Sequence, residues 1–144
     1  YETKIVNGDF ITHKIDEKFD CILIDAPCSA SGLIQKKPEM LVMKKNISEL
    51  QIKQKLMLEK APKILKDGGY LIYCVCSIIY SEGEEQIQEF LKNFKNFSLI
   101  NCFSSIQSFG MVRNNQPYFF TTPDLLAEHG GIDGFFIACL KKNY

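Results

Sequence analysis

The chain alternates between apolar runs and segments with helical spacing, and this alternation predicts its secondary structure. Residues 19–26 (FDCILIDA) and 70–77 (YLIYCVCS) form the two strongest apolar runs. Continuous runs of this kind are typical of strands that are buried on both faces of a parallel sheet. Weaker runs predict three further strands, at residues 4–6, 97–103 and 134–141.

The first stretch with helical spacing begins near Ser48. Its apolar residues recur on one face, at Leu50, Met57, Ala61 and Ile64. Pro62 should kink this helix or end its regular hydrogen bonding, because proline has no N–H to donate. The sequence Asp67-Gly68-Gly69 then predicts the end of the helix.

A second helix is predicted after the second strong run. Ser81 and Glu84 have the spacing of a capping box, and apolar residues then recur at i, i+3, i+4 and i+7, namely Ile87, Phe90, Leu91 and Phe94. Residues 104–131 are polar and irregular. The order strand, helix, strand, helix, strand predicts an α/β fold in which helices flank a largely parallel sheet.

Length, charge and cysteine content narrow the class of protein. The chain has 144 residues, which suits one domain, and equal numbers of basic and acidic residues, 17 of each. It therefore lacks the basic excess of a dedicated nucleic-acid binder. The longest apolar run is shorter than the roughly 20 residues that span a bilayer. Six cysteines without a disulfide spacing, and no signal peptide at the start, predict a protein of the reducing cytoplasm.

Four residues with useful chemistry lie where predicted strands end. In open α/β sheets, ligands bind beyond the carboxyl ends of the strands. Asp9, Asp25, Cys28 and Cys76 all occupy such positions. Two thiols beside a carboxylate suit covalent attack on an electron-poor ring. The other four cysteines are expected to be structural, with Cys74 in the core and the remaining three at Cys21, Cys102 and Cys139.

Two other sites built on cysteine are weaker interpretations. A zinc site would have to recruit His13 or His129, and no close pairs of ligands flank a helix or knuckle. A cysteine–histidine hydrolase is weaker still, because neither histidine ends a predicted strand. The lysine pairs 36–37 and 44–45 are either a solvated surface or, beside the candidate site, a contact for phosphates.

At these residues the chain resembles the Sun (Fmu) family of RNA cytosine-5 methyltransferases, and within it the ribosomal small-subunit methyltransferase B group. Residues 19–32 (FDCILIDAPCSASG) are similar to the first cysteine motif of the family. Residues 65–69 (LKDGG) followed by 73–77 (YCVCS) resemble the second, and residues 133–138 (DGFFIA) resemble its closing strand. The resemblance covers nearly the whole chain and implies a Rossmann-like methyltransferase fold.

The resemblance also implies roles for single residues. Cys76 would be the nucleophile, Cys28 would assist product release, and Asp25 would hydrogen-bond the cytosine ring. The cofactor would be S-adenosylmethionine, with Asp9 at its adenine and Asp25 and Pro27 also at the cofactor site. The partner would be RNA, most specifically small-subunit ribosomal RNA, whose target base must be unstacked to reach both thiols.

Some features depart from the family pattern. Val75 stands where the second motif, usually Thr-Cys-Ser, has threonine. Lysines and a proline at residues 36–38 replace a stretch richer in arginine and histidine, and Gly83 stands where asparagine is common. No Gly-rich cofactor loop is present, because Gly68-Gly69 and Gly130-Gly131 lie in the wrong context. We therefore expect residues 1–144 to be the carboxy-terminal part of a catalytic domain, without its first two strands and with an incomplete cofactor site.

Two expectations follow from this interpretation, and two alternatives to it stay open. The fragment is expected to be inactive alone and to expose residues 19–26 as an apolar sheet edge that promotes self-association. A cytosine-5 methyltransferase with Cys28 as the nucleophile is one alternative. A non-catalytic α/β RNA-binding module is the other.

Overall fold

A computed structural model describes residues 3–42, 45–101 and 117–144. Within these ranges five strands and two α-helices follow one another in the order β1 (Phe19–Asp25), α1 (Ile47–Ile64), β2 (Leu65–Val75), α2 (Glu84–Asn93), β3 (Phe97–Ile100), β4 (Phe119–Phe120) and β5 (Phe136–Lys142). Short 3-10 turns lie at Ser31–Leu33, Pro38–Leu41, Tyr80–Glu82 and Ala127–His129. The described ranges do not include Lys44, Cys102, Phe103 and residues 104–116 of the irregular stretch.

The strands form one mixed sheet in the order β1-β2-β5-β3, and β4 also pairs with β5. β1 and β2 are parallel, whereas β5 is antiparallel to β2, β3 and β4. Strands β1 to β4 therefore share one direction and β5 runs against them. The predicted α/β class with flanking helices is confirmed, and the reversed closing strand is a feature that the apolar pattern did not predict.

Both helices pack against one face of the sheet. On β2 this face carries Leu71, Tyr73 and Val75, all with no exposed surface, and Leu58 of α1 and Ile87 of α2 lie in the same cluster. The alternate residues of β2 point to the opposite face, because successive side chains of a strand alternate. This geometry corrects two expectations about cysteines.

The first correction is that Cys74 lies on the opposite face from Tyr73 and is only half-buried, so it is not part of the helix-covered core. The second is that Cys21 is exposed on β1 rather than packed. Cys139 is buried beside Phe119 and is structural as expected.

The boundary between α1 and β2 differs from the prediction. The helix ends at Ile64, two residues after Pro62, and β2 begins directly at Leu65. The Asp67-Gly68-Gly69 turn does not stop the helix but lies in an irregularity of β2, where the pairing with β1 shifts register. Lys142 of β5 donates to the carbonyls of Pro62 and Leu65, at 3.2 and 2.9 Å, and so supplies donors to the end of the helix.

The start of α2 also differs from the prediction. The helix begins at Glu84 behind Gly83, and no side chain caps it. The predicted cap, Ser81, lies instead in the preceding 3-10 turn. Gly83 has a packing role, since a Cβ atom there would lie 2.8 Å from the ring of Phe136. The capping-box pattern was misleading because the 3-10 turn at Tyr80–Glu82 moves the start of the helix past Ser81.

Residues 4–6 do not form the predicted strand. Ile5 is 90% exposed and Val6 is 54% exposed, and neither pairs with the described sheet. β1 is the terminal strand of that sheet and has a neighbour on one side only. The expected open edge is therefore present in the described part of the chain. No helix of this part is long and apolar enough to cross a membrane.

Candidate active site

Two thiols meet at the end of the sheet where the carboxyl ends of β1 and β2 lie. Cys28 lies in the loop after β1, and Cys76 directly follows β2. Because these strands are parallel neighbours, their carboxyl ends lie side by side, and the two Sγ atoms are 3.3 Å apart. Both residues are half-buried, so the pair is shielded without being sealed from solvent. The structure thus brings together the two cysteines that the sequence singled out.

The environment of Cys28 favours its protonated form. Burial is the largest cause that raises its pKa, from 9.0 to about 12. A backbone hydrogen bond from Ala30 opposes this shift, while contact with Cys76 and the charge of Glu82 reinforce it. Cys28 therefore keeps its proton at neutral pH, and its thiol can donate to the sulfur of Cys76. A protonated thiol is a poor nucleophile, because the thiolate is the reactive form.

Backbone hydrogen bonds fix the two cysteine loops against each other. The N–H of Ala26 donates to the carbonyl of Cys74 at 2.9 Å, and the N–H of Gly32 donates to the carbonyl of Cys76 at 3.1 Å. Gly134, just before β5, donates to the carbonyl of Gly32 at 2.8 Å. The two glycines approach so closely that a Cβ atom on Gly32 would lie 1.9 Å from the carbonyl oxygen of Gly134.

Glu82 is the residue at this site that sequence reasoning missed. It has no exposed surface, and its carboxylate accepts hydrogen bonds from Ser29 and Ser77, the residues that follow Cys28 and Cys76. The available signal was the repeated Cys-Ser pair, since both cysteines are followed by a hydroxyl that needs a partner when buried. Nothing local to Glu82 distinguishes it from the exposed Glu85 nearby.

Gln54 of α1 joins the same network and was also missed. Its side chain is fully buried, and its Nε2 donates to the carbonyl of Pro27 at 2.9 Å and to Glu82 at 3.1 Å. The hydrogen bond to Pro27 thereby ties α1 to the loop that carries Cys28. Within the described residues, the amide oxygen of Gln54 has no hydrogen-bond partner.

Asp25 ends β1 with an exposed side chain. It pairs in register with Cys74, and its charge is the second cause, after burial, that raises the pKa of Cys74 to about 11. Among the described residues no donor occupies its carboxylate. Asp25 is therefore available to a ligand at the carboxyl ends of the strands, where the thiol pair also lies.

Asp9 and Pro27 line a common groove with Phe10 and Met57. One carboxylate oxygen of Asp9 accepts the N–H of Ile11 at 2.7 Å, which leaves the other oxygen free to face the groove. Two of the three residues that the resemblance assigns to the cofactor thus share one concave surface, and the third, Asp25, does not line it.

Lys60 of α1 holds the turn that carries Asp9, although no local pattern indicated it. Its Nζ donates to the carbonyls of Phe10, Ile11 and His13 and lies 5.1 Å from the ring centre of Phe10. Three acceptors and one aromatic face around a single ammonium group fix this turn to the helix.

The predicted phosphate lysines have different surroundings. Lys36 forms an ion pair with Asp133 at 2.9 Å, whereas Lys37 is exposed. Lys45 donates to the carbonyl of Cys28 at 3.4 Å and lines a cleft with Ser29 and Ser31. Lys45 is therefore the described lysine that lies next to the thiol pair. No group of three or more metal-ligating side chains occurs in the described ranges, and the zinc interpretation gains no support.

Comparisons with known proteins agree with this geometry. The family model described as "16S rRNA methyltransferase RsmB/F" matches residues 1–141. A ribosomal RNA small subunit methyltransferase B of Yersinia enterocolitica is 35% identical over 129 residues, which cover 88% of this chain and 27% of that protein. The corresponding protein of Shewanella oneidensis is 47% identical over 97 residues, or 62% of this chain and 22% of that protein. The chain spans about a quarter of the length of these relatives.

Solved structures show the same fold. The structure of NSun6 from Pyrococcus horikoshii with SFG superposes with a TM-score of 0.77 at 27% identity, covering 98% of this chain and 35% of that one. A methyltransferase homologue from the same organism gives a TM-score of 0.67 at 31% identity, covering 88% and 40%. With a family match over nearly its whole length and a thiol pair at the expected sheet edge, the chain belongs to the RsmB/F family of 16S rRNA methyltransferases.

Proposed function

We propose that this chain is the base-binding part of an enzyme that methylates carbon 5 of cytosine in RNA, through a covalent cysteine adduct and with S-adenosylmethionine as methyl donor. The observation that carries the proposal is the 3.3 Å separation of the Cys28 and Cys76 sulfurs at the carboxyl ends of adjacent parallel strands. Family membership supports ribosomal RNA of the small subunit as the substrate.

In this mechanism Cys76 forms the covalent bond. Carbon 5 of cytosine is too weak a nucleophile to take a methyl group unaided. The Cys76 thiolate adds to carbon 6, and the ring becomes an enamine whose carbon 5 attacks the sulfonium methyl of the donor. Addition gives the ring a negative charge, so ring nitrogen 3 takes a proton from solvent and returns it when the ring is restored. The free carboxylate of Asp25 is suited to accept hydrogen bonds from that N–H and from the amino group while the adduct exists.

Cys28 then acts in the second half of the reaction. Once the Cys76 sulfur is bonded to carbon 6, it no longer carries a charge beside Cys28. Two of the causes that raise the pKa of Cys28, its hydrogen bond and its electrostatic interaction with Cys76, are then removed. Burial still raises the pKa of Cys28, so its thiol first loses its proton to solvent. The Cys28 thiolate then takes the proton from carbon 5, and the bond from carbon 6 to Cys76 breaks to restore the aromatic ring and the Cys76 thiolate.

The cofactor site is the groove that Asp9 and Pro27 share. The methyltransferase family and the structural neighbour solved with SFG support S-adenosylmethionine as the ligand. We further propose that residues 1–144 supply only part of this site, because they contain no Gly-rich turn to receive the cofactor backbone. The remaining part would come from the other three quarters of a protein as long as the curated relatives. The thiols of Cys21, Cys28, Cys74 and Cys76 are not in disulfides, which suits the reducing cytoplasm that we predict.

Covalent trapping on RNA that contains 5-fluorocytosine tests the roles of the two thiols. Fluorine blocks the loss of a proton from carbon 5, so the complete protein that carries this chain should form an adduct that survives denaturation. Cys76→Ala should abolish the adduct. Cys28→Ala should still form it, and should also remain bound to RNA with ordinary cytosine because release is blocked.

Cys74→Ala is the matched control, because it removes a third thiol of the same segment. It should leave trapping intact and cost about 1 kcal/mol of stability. If Cys28→Ala rather than Cys76→Ala abolishes trapping, Cys28 is the nucleophile. If the unmodified protein forms no adduct at all, the non-catalytic RNA-binding interpretation takes the place of this proposal.

A further inference from the structure

The carboxylate of Glu82 is buried and its known partners are all hydrogen-bond donors. The Ser29 N–H donates to Oε1 at 2.9 Å, and the Ser29 and Ser77 hydroxyls donate to Oε2 at 2.5 and 2.6 Å. The Gln54 amide adds a fourth bond at 3.1 Å. An ionised carboxylate only accepts hydrogen bonds, so four converging donors match the charged form of Glu82. No ion pair to Glu82 occurs in the described part of the chain.

The donors come from three separate segments of the chain. Ser29 follows Cys28, Ser77 follows Cys76, and Gln54 belongs to α1 and also holds Pro27. A single side chain therefore connects both cysteine loops to each other and to the helix beneath them. Charge-assisted hydrogen bonds are stronger than neutral ones, which makes this connection a stiff one.

The remaining contacts of the serines extend the connection. The Ser31 and Ser77 hydroxyls are 2.9 Å apart, and Ser77 also accepts the N–H of Ile79 at 3.1 Å. Ser77 is 1% exposed, so water cannot replace Glu82 as its acceptor without opening the site. The position of Cys76 relative to Cys28 thus depends on bonds that end on Glu82.

We propose that Glu82 is a positioning residue of the thiol pair: by accepting hydrogen bonds from Ser29 and Ser77, it sets the distance and orientation of Cys28 and Cys76 for the covalent step. The inference extends the proposed function, but the placement of the sulfurs that it describes can be measured without any methyl transfer. A residue that only stabilised the fold would leave the geometry of the pair unchanged in the molecules that remain folded.

A trivalent arsenical, phenylarsine oxide, measures this geometry directly. Its arsenic bonds two thiol sulfurs at once and releases its oxygen as water, so tight binding needs two sulfurs that already lie close together. The chain should bind it tightly, and Cys28→Ala and Cys76→Ala should each abolish tight binding. Glu82→Gln keeps the size of the side chain but replaces two acceptor sites by donors. It should weaken arsenical binding at least tenfold.

Glu85→Gln is the control, because it removes the same charge from an exposed neighbour on α2. It should bind the arsenical as the unmodified chain does. Ser77→Ala is the second test, since it breaks the link from Cys76 while leaving the carboxylate in place, and it should give part of the same loss. Its effect should not add to that of Glu82→Gln, because both changes remove one connection.

Trapping on 5-fluorocytosine RNA supplies the catalytic measurement in the complete protein. Glu82→Gln should slow formation of the adduct at least tenfold at saturating RNA and change RNA affinity less than twofold. Unchanged arsenical affinity in folded Glu82→Gln and Ser77→Ala would overturn the inference, as would a Glu85→Gln loss of equal size. If Glu82→Gln does not fold, the Ser77→Ala result decides alone. Loss of arsenical binding in a protein that never traps RNA would refute the proposed function and leave the positioning role intact.

Discussion

At the residue scale, the two thiols of the site differ in their surroundings although they touch. The Cys28 thiol is buried and has the charge of Glu82 near it, and both effects raise its pKa. Its raised pKa means that Cys28 holds its proton at neutral pH. This difference agrees with the separate roles that we propose for the two side chains.

This difference predicts how stability depends on pH. The pKa of Cys28 rises from 9.0 to about 12 on folding, so above about pH 9 the unfolded chain has lost a proton that the folded chain still holds. The free energy of unfolding should therefore fall as the pH rises from about 9 to about 12. Cys28→Ser cannot ionise there, and urea unfolding across this range should show a shallower fall.

Cys21→Ser is the control, because Cys21 is exposed on β1, and it should keep the slope of the unmodified protein. Some slope should survive in Cys28→Ser as well, since burial also raises the pKa of Cys74 and of Tyr73. Equal slopes for Cys28→Ser and the unmodified protein would contradict the assignment of the proton to Cys28.

The sequence indicated the two thiols that lie together but not the residue that connects their loops. Cys28 and Cys76 each end an apolar run, and the position of a residue at the end of a strand is local information. The role of Glu82 depends on partners 53 residues away at Ser29 and 5 residues away at Ser77. Only the packed structure brings these partners together, so no spacing rule along the chain could indicate them.

At the element scale, the site depends on how closely the loops approach each other. Gly32 follows the first cysteine loop and Gly134 precedes β5, and their backbones are in direct contact. Through this contact the closing strand supports the loop that carries Cys28. The pair also explains why the loop needs glycine there, since any side chain would meet a carbonyl group.

Gly32→Ala should therefore be strongly destabilising. The added Cβ would lie 1.9 Å from the Gly134 oxygen, so the loop or β5 must move. We expect a loss of about 3 kcal/mol in urea unfolding, because overpacking against backbone cannot be relieved by a side-chain rotation.

Gly8→Ala is the matched control, since its Cβ would meet only the His13 side chain, at 3.4 Å. It should change the free energy of unfolding by less than about 0.5 kcal/mol. Similar losses for Gly8→Ala and Gly32→Ala would show that the contact with Gly134 is unimportant.

Elements were predictable where local sequence decides them. The apolar runs of β1 and β2 and the helical spacing of α1 and α2 need no knowledge of the rest of the chain. Residues 4–6 form a weaker apolar run, and a strand also needs a neighbour to bond, which the described sheet does not offer them. The direction of β5 was likewise decided by pairing, which the apolar pattern does not encode.

At the scale of the whole molecule, the described sheet ends at β1, a strand with a neighbour on one side only. β1 pairs only with β2, and Leu23 at its centre is 64% exposed. Free N–H and carbonyl groups beside an apolar side chain favour pairing with another chain. This edge is the basis for the self-association that we propose for the chain when it is expressed by itself.

Leu23→Lys should weaken this association, because a charge on an edge strand opposes pairing with a second copy. Light scattering across a concentration series should show dimers or larger species for the unmodified chain and a shift toward monomer for the variant. Ile52→Lys is the control, since Ile52 is 59% exposed but lies on α1. A chain that stays monomeric throughout, or equal effects of the two variants, would argue against association through β1.

The position of β5 has a consequence for how the protein is made. β5 follows every other described strand in the chain but lies between β2 and β3 in the sheet. At a synthesis rate of about 5–20 residues per second, a nascent chain waits several seconds between completing β2 and completing β5. During that interval β2 is paired only with β1, β3 has no partner in the sheet once it is made, and Gly134 has not yet reached Gly32. The sheet therefore cannot form strand by strand on the ribosome. The Gly32–Gly134 hydrogen bond that supports the loop of Cys28 forms only in a late step, when β5 inserts between β2 and β3.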